Sequence, residues 1–256
     1  MNYLDVPILL ITYKRLNTTK LVLEQIIKAK PKKLYIVSDG PKNRIDENIV
    51  FKVREFLIEK LKKLDFDCEI NIRFRDTNMG VGFGPFDAIS WLFEKEDCGI
   101  ILEDDCFPSM SFFRICSELL KRYKDNKRIG IIQGFNPFPK GDDYQYSYFY
   151  SKYDLKWGGW ATWKDRWQFM DIYMQDWPAV KKELSKMFKE NNDVQYYWFF
   201  IFEHIYKNPS TSWDTQFTYQ ILKRGMLNIV PSKNLILNIG YGEDATGSYI
   251  KPKHLR

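Results

Sequence analysis

The chain has 256 residues, 45% of them hydrophobic and 28% charged, with 39 Lys and Arg against 33 Asp and Glu for a net charge of +6. That length can bury a substantial core as one large domain or two closely joined halves, and the composition is that of a soluble globular protein. The small positive excess is spread along the chain without a basic stripe or a recognisable reading module, which argues against a nucleic-acid partner. It leaves only a weak pull toward anionic lipid or a phosphorylated substrate.

Val6 to Thr12 is a short, nearly continuous apolar run and reads as a buried strand. Val22, Leu23, Ile26 and Ile27 follow at helical spacing, and Pro31 ends that helix. Lys33 to Val37 reads as a second strand, closed by the turn Ser38-Asp39-Gly40-Pro41. Asp46 is expected to cap a helix whose apolar face carries Ile49, Val53, Phe56, Leu57, Leu61 and Leu64. Cys68 to Phe74 alternates as a third strand, and Gly80, Gly82 and Gly84 read as a loosened connection to a helix around Ala88 to Phe93. Gly99 to Leu102 gives a fourth strand, Phe112 to Tyr123 a helix and Ile129 to Gly134 another strand.

The rhythm then breaks. Asn136 to Lys156 is aromatic and turn-rich, Trp157 to Trp163 is rich in Trp and Gly, and helices lead to one last strand from Met226 to Val230. Alternating strands and helices with short connections predict an α/β fold, a mostly parallel sheet covered by helices on both faces. The expected organisation is one unit over 1–256, with a nucleotide-type half over 1–134 and an aromatic-rich half over 135–256.

Aromatic residues depart from the ordinary: 19 Phe, 16 Tyr and 8 Trp make 17% of the chain. Concentrated in the second half, their rings either fill a bulky core or grip the apolar face of a ligand such as a sugar. Cys68, Cys98, Cys106 and Cys116 form no C-x-x-C pair and accompany only two histidines, so neither a zinc site nor a disulfide framework is expected. Reduced thiols, the absence of a signal-peptide pattern and the absence of any run long enough to span a bilayer set the expected location as cytoplasmic. Peripheral contact with the inner face of the membrane stays open, and oligomeric state is not legible.

Glu103-Asp104-Asp105 stands directly behind the fourth strand, at the carboxyl edge where open α/β sheets bind ligands. Packed carboxylates repel and lose hydration unless a cation neutralises them, and clustered hard oxygens suit Mg2+ or Mn2+ shared with a phosphate. The three acids fit equally well with a solvated turn capping the helix that begins near Ser109. Gly80-Val81-Gly82-Phe83-Gly84 matches the dinucleotide fingerprint poorly and follows the third strand rather than the first; no Walker lysine sequence occurs.

The ordered series says more than any one motif. A proline-led apolar strand before Thr12-Tyr13-Lys14-Arg15 is followed by Ser38-Asp39-Gly40, Asn78-Met79-Gly80 and Ile100 to Cys106 with the acid cluster. Trp157-Gly158-Gly159-Trp160 and Trp213-Asp214 complete it. This series resembles the GT-A glycosyltransferases, in particular the inverting N-acetylglucosaminyltransferase I-like group and its small bacterial relatives. The resemblance spans most of the chain, with its specificity in the motifs.

It implies a GT-A (Rossmann-like) domain that moves a sugar from a nucleotide-sugar, by expectation a UDP-sugar, to a hydroxyl of a glycan, glycolipid or protein-glycan acceptor, with Mn2+ or Mg2+ as cofactor. It puts Thr12, Tyr13 and Arg15 at the uridine and phosphates, Asp39 at uracil or ribose, and Asn78 and Gly80 beneath the nucleotide. Locally, Asp39 and Gly80 read equally well as turn formers. Asp105 is implied as the metal ligand, Asp104 as a ribose contact and Glu103 as a donor-sugar contact. Asp214 is implied as the general base of a one-step, inverting displacement; the local alternative is a helix-start carboxylate with Ser212 as cap.

Trp157, Gly159, Trp160 and Trp213 would wall the donor or acceptor sugar; core packing is the alternative for Trp157 and Trp160, and the expectation for Trp163 and Trp167. Asn238 to Ser248, including Thr246, resembles the loop that folds over the diphosphate, although Gly247 stands where relatives often carry His. Two other classes stay open. A sugar nucleotidyltransferase would normally carry a Gly-rich basic loop after the first strand, where Thr12 to Arg15 has no glycine. A non-catalytic carbohydrate-binding protein on a decayed scaffold would have no need of the intact acids and Asp214.

Overall fold

A computed structural model describes residues 3–136, 145–153, 158–188 and 192–241. Strand β1 (Ile8–Thr12) is buried along its whole length, as an apolar run must be in a sheet covered on both faces. Helix α1 (Leu16–Ala29) begins after only three intervening residues, and Lys30 closes it in the left-handed region at φ 49°. Strand β2 (Lys33–Ser38) leads to helix α2 (Arg44–Leu61). The cap of α2 is Asn43, whose side chain accepts the Ile45 and Asp46 amides. Asp46, expected as the cap, lies buried in the first turn and accepts the Tyr13 hydroxyl at 2.6 Å and Lys14 Nζ at 3.0 Å. Asn43 occupies the position just before the first turn, from which a side-chain oxygen reaches the free amides, and this leaves Asp46 for the loop after β1.

Strand β3 (Glu69–Phe74) forms one sheet edge. Gly80, Gly82 and Gly84 are not a loosened connection but the first turns of helix α3 (Gly80–Lys95). Strand β4 (Cys98–Glu103) ends on the first acid, and a short strand β5 (Cys106–Pro108) follows. Helix α4 (Met110–Arg122) is capped by Ser109, whose hydroxyl accepts the Phe112 amide at 3.3 Å, so the acid cluster is not its cap. Strand β6 (Ile129–Gln133) closes the first half.

The second half contains strands that its turn-rich composition hides: β7 (Tyr148–Ser151) and β8 (Trp160–Trp163). Helices α5 (Lys164–Trp167), α6 (Trp177–Ser185), α7 (Asn192–Lys207) and α8 (Asp214–Lys223) follow. Strand β9 (Leu227–Pro231) is not the last, because β10 (Ile236–Asn238) comes after it and pairs antiparallel with β5. The main sheet has the order β3-β2-β1-β4-β8-β6-β9-β7. It is mostly parallel, with β8 antiparallel between β4 and β6 and β7 antiparallel to β9. The protein is thus α/β, and one sheet draws strands from both halves of the chain.

Alternate residues of the buried strands feed two cores. Ile8, Leu10, Leu34, Ile36, Ile100 and Leu102 pack with α1, α2 and α4 on one face. Leu9, Ile11, Tyr35, Val37 and Ile101 pack with α3, α5 and α8 on the other. A third cluster joins α6 and α7 to α8 through Trp177, Trp198, Phe202 and Tyr219. All four cysteines are free, and no helix among the described residues is long and apolar enough to cross a membrane.

The parallel register aligns the carboxyl ends of the strands. Ile11 stands opposite Glu103, Thr12 opposite Ser38, and Ser38 opposite Phe74. Four strands therefore end nearly flush, and the residues just beyond them, Tyr13, Asp39, Arg75 and Asp104, share one edge.

Candidate functional site

A cavity of about 160 Å³ opens at this carboxyl edge. Thr12, Tyr13, Arg15, Asp39, Asn78, Gly80, Glu103, Asp104 and Asp105, nine positions singled out in the sequence, all line it. Lys14 and Gly84, which lie within sequence motifs but carry no expected role, also line it, as do Lys42, Arg75 and Pro85, which no motif contains. For Arg75 the available signal is its register: it follows β3 as Asp39 follows β2.

Asp104 Oδ2 accepts the Tyr13 amide at 3.1 Å, tying the end of β1 to the end of β4. Arg15 Nη1 lies 2.7 Å from Asp105 Oδ2 and 3.7 Å from Asp104 Oδ1, so one guanidinium serves two of the three acids. The cluster is still under-neutralised. Desolvation, then the neighbouring charges of Asp105, Asp104 and Asp214, push Glu103 up to about 8. Desolvation and Asp105 push Asp104 up to about 7, against the opposing pull of Arg15. Among the described residues no group of three or more His, Cys, Asp and Glu side chains is arranged to hold a metal ion by itself. Asp105 Oδ2 accepts Arg15 Nη1, while among the described residues its Oδ1 accepts a weak Cys106 thiol contact at 3.4 Å.

Asp39 has a positioning role. Its carboxylate accepts the amides of Met79 at 3.1 Å and Gly80 at 3.3 Å, and Arg75 Nη1 at 3.4 Å. Met79 caps α3 without a side-chain bond of its own, so Asp39 supplies from the end of β2 the acceptor that the helix start lacks. Asn78 donates to the Gly40 carbonyl at 2.8 Å, and a Cβ on Gly40 would sit 2.3 Å from the Thr77 backbone. These contacts clamp the β2 and β3 loops together as the wall of the cavity.

The glycines of α3 set the opposite wall. Gly80 has φ +78°, a conformation other residues rarely adopt. A Cβ on Gly82 would meet the Ser210 backbone at 2.5 Å, so the bare backbone lets the 3-10 turn Pro209–Thr211 dock on the start of α3. Gln216 holds this turn from below, with its amide donating to the carbonyls of Pro209 at 3.0 Å and Ser212 at 2.7 Å. Asp214 follows at the start of α8, near enough for its charge to raise Glu103, although it does not line the cavity itself. Ser212 Oγ accepts the Thr215 amide at 3.2 Å and donates to Asp214 Oδ1 at 2.5 Å, so the cap and the carboxylate are one device.

The expected sugar wall is corrected in part. Trp160 and Trp213 are 2% and 4% exposed and stack on each other at 5.5 Å, with Trp167 and Phe217 packed against them. They are a buried anchor beneath Asp214 rather than a surface offered to a ligand. Gly159 is buried as well, where a Cβ would strike Leu102 at 2.4 Å. The register explains this: Trp160 lies opposite Ile101 and Gln133 in the middle of the sheet. Trp157, Thr246 and Gly247 lie outside the described residues. The described chain does lead toward that last segment at the acids: the Ile239 amide donates to the Asp105 carbonyl at 2.9 Å, and a Cβ on Gly240 would meet Asp105 Oδ2 at 2.2 Å.

No known protein family and no curated protein sequence matches the chain. Among solved structures it is similar to a UDP-glucose pyrophosphorylase complexed with UDP-glucose, at 9% identity and a TM-score of 0.38, over 64% of this chain and 78% of that one. It is also similar to a 4-diphosphocytidyl-2C-methyl-D-erythritol synthase from Anaerococcus prevotii, at 14% identity and a TM-score of 0.37, over 77% of this chain and 84% of that one. Likeness at this level carries no argument about the reaction.

The raised carboxyls give a stability test. Glu103 binds a proton more tightly folded than unfolded, so its contribution is full below the unfolded carboxyl range and is lost as pH rises through about 8. In EDTA, Glu103→Gln should melt higher than wild type at pH 8.5 by several degrees and by much less at pH 5.5. Thermal denaturation at the two pH values checks this, and an equal shift at both would contradict it.

Proposed function

We propose that the protein is an inverting GT-A glycosyltransferase that binds a nucleotide-sugar, by preference a UDP-sugar, in the edge cavity. The observation that carries this reading is the convergence of nine motif residues, from four separate strand ends, on one cavity that ends in an under-neutralised acid cluster. Tyr13, Asp39 and Asn78 would surround the nucleoside, and Arg15 would pair with the diphosphate, as a planar guanidinium does best. Asp105 would hold Mn2+ or Mg2+ together with phosphate oxygens, which suits an ion usually bound by one or two carboxylates plus substrate. When bound, the ion offsets charge on the departing diphosphate. Glu103, its carboxyl pushed upward by burial and by its acidic neighbours, would bond a donor-sugar hydroxyl.

Asp214 would take the proton of the acceptor hydroxyl as its oxygen attacks the anomeric carbon. Its buried Trp213 neighbour and the Ser212 hydroxyl fix the carboxylate, and geometry of that kind is what base catalysis needs. A sugar nucleotidyltransferase is the second reading, and one of the similar solved structures is by name a UDP-glucose pyrophosphorylase. The observation that weighs against it is the connection from β1 to α1, three residues without a glycine, too short for a phosphate-wrapping loop.

Titration with UDP, with and without Mn2+, tests the donor site. Binding should require Mn2+, and Asp105→Asn should weaken it by at least about tenfold, or about 1.4 kcal/mol; metal-independent binding unaffected by that change would contradict the assignment. Pyrophosphate release from UTP and a sugar 1-phosphate would move the protein to the nucleotidyltransferases. Asp214→Asn should lower turnover by about 10²–10⁴ while leaving UDP affinity nearly unchanged. NMR of the product should show inverted anomeric configuration; retained configuration or wild-type turnover in the variant would remove Asp214 from the role of base.

A further inference from the structure

Helix α7 has apolar side chains on both of its long faces. Trp198, Phe202 and Ile205 are buried against α6 and α8, as one face of an amphipathic helix should be. On the other side Tyr196, Tyr197 and Phe200 are 75%, 55% and 65% exposed. Large rings kept in water on a face that sequence patterning would normally make polar mark a surface with a partner.

Beside these rings, between α7 and α6, lies an open groove of about 400 Å³, separate from the edge cavity. Tyr196, Phe199 and Phe200 line it together with Lys181, Glu203 and Lys207. The charges are already arranged among themselves: Glu203 Oε2 lies 3.0 Å from Lys181 Nζ and also accepts Trp177 Nε1 at 3.1 Å, while its Oε1 lies 3.2 Å from Lys207 Nζ. Those three donors hold the Glu203 carboxyl down to about 2, so it stays an acceptor between the two lysines.

This chemistry selects among ligands. Glu203 offsets one of the two lysine charges, so this trio carries a net charge of only +1 and offers little to an anionic bilayer or polyanion. A flat aromatic platform edged by alternating donors and acceptors suits a neutral, polyhydroxylated ring. Such a ligand offers an apolar face to the aromatic rings and hydroxyls that both donate and accept. The groove's far end, at Lys207, is joined to the proposed base by a short stretch of chain. Asn208 and the 3-10 turn Pro209–Thr211 link Lys207 to Asp214, a chain distance of seven residues or at most about 25 Å.

We propose that the α6–α7 groove binds a neutral oligosaccharide, the part of the acceptor glycan remote from the hydroxyl that is glycosylated. The acceptor role rests on the glycosyltransferase reading; the binding itself does not. The groove holds the glycan body while its terminal residue reaches Asp214, which ties acceptor selection to α7 and donor selection to the strand edge.

Saturation-transfer NMR on the full chain with chitohexaose, cellohexaose, maltohexaose and laminarihexaose tests this. At least one should bind, and the double substitution Tyr196→Ala with Phe200→Ala should weaken it by about tenfold or more, a loss of two stacking faces. UDP affinity should stay at the wild-type value. Tyr196→Ser alone, at the more exposed position, provides a milder variant should the double one melt early. Failure of all four sugars to bind, or undiminished binding in both variants, overturns the proposal. So does cosedimentation with phosphatidylglycerol vesicles, or a dimer in solution, that the same substitutions abolish. Sugar binding without Mn2+-dependent UDP binding would leave the groove standing and remove the glycosyltransferase reading; the reverse result would remove only the groove.

Discussion

Three carboxylates at the end of one buried strand, answered among the described residues by a single guanidinium, are the constraint on which the rest of this protein turns. Charges so close together in a desolvated place cannot all be ionised without help, and Arg15 pairs directly with Asp104 and Asp105. Glu103 and Asp104 therefore hold their protons far above the ordinary carboxyl range. A fold selected for stability alone would place leucine or alanine there. Keeping the acids means that the free protein carries a cost that a bound cation and diphosphate would relieve.

Several features make sense as support for that cluster. The flush ends of β1 to β4 bring Tyr13, Asp39, Arg75 and Asp104 to one edge, and the Tyr13 amide fixes Asp104 directly. Asp39 is turned into a helix cap, so the start of α3 is held against the cavity. Gly82 lets the segment carrying Asp214 dock on that helix, and the stacked Trp160 and Trp213 anchor it from within the core. Close backbone approach at Gly240 brings the chain after β10 onto Asp105. Bare backbone at Gly40, Gly82 and Gly240 thus draws three segments that are distant in sequence around one small cavity.

Much of the first half is legible in the sequence because its signals are local. Short apolar runs alternating with helical spacing mark the strands, and motif order names nine cavity residues. What is not legible depends on partners far away. Trp160 to Trp163 shows no alternation because β8 is buried on both faces between β4 and β6, so in sequence it resembles a ligand-facing aromatic motif. The glycines of α3 read as loop because close approach by Ser210 is invisible in one dimension. Asp46 reads as a cap, whereas Tyr13 and Lys14, folded against it from beyond β1, claim its carboxylate. Arg75 needs the register of β3 to be seen at all.

On the proposed reading, the acid cluster receives a cation and a nucleoside diphosphate together at the strand edge. A crystal of the protein grown with UDP and Mn2+, measured at the manganese absorption edge, tests it most directly. The expected result is an anomalous peak within coordination distance of an Asp105 carboxylate oxygen, bridged to the diphosphate, with the base lying between the β2 and β3 loops. Manganese elsewhere, or a nucleotide bound outside this cavity, would contradict it.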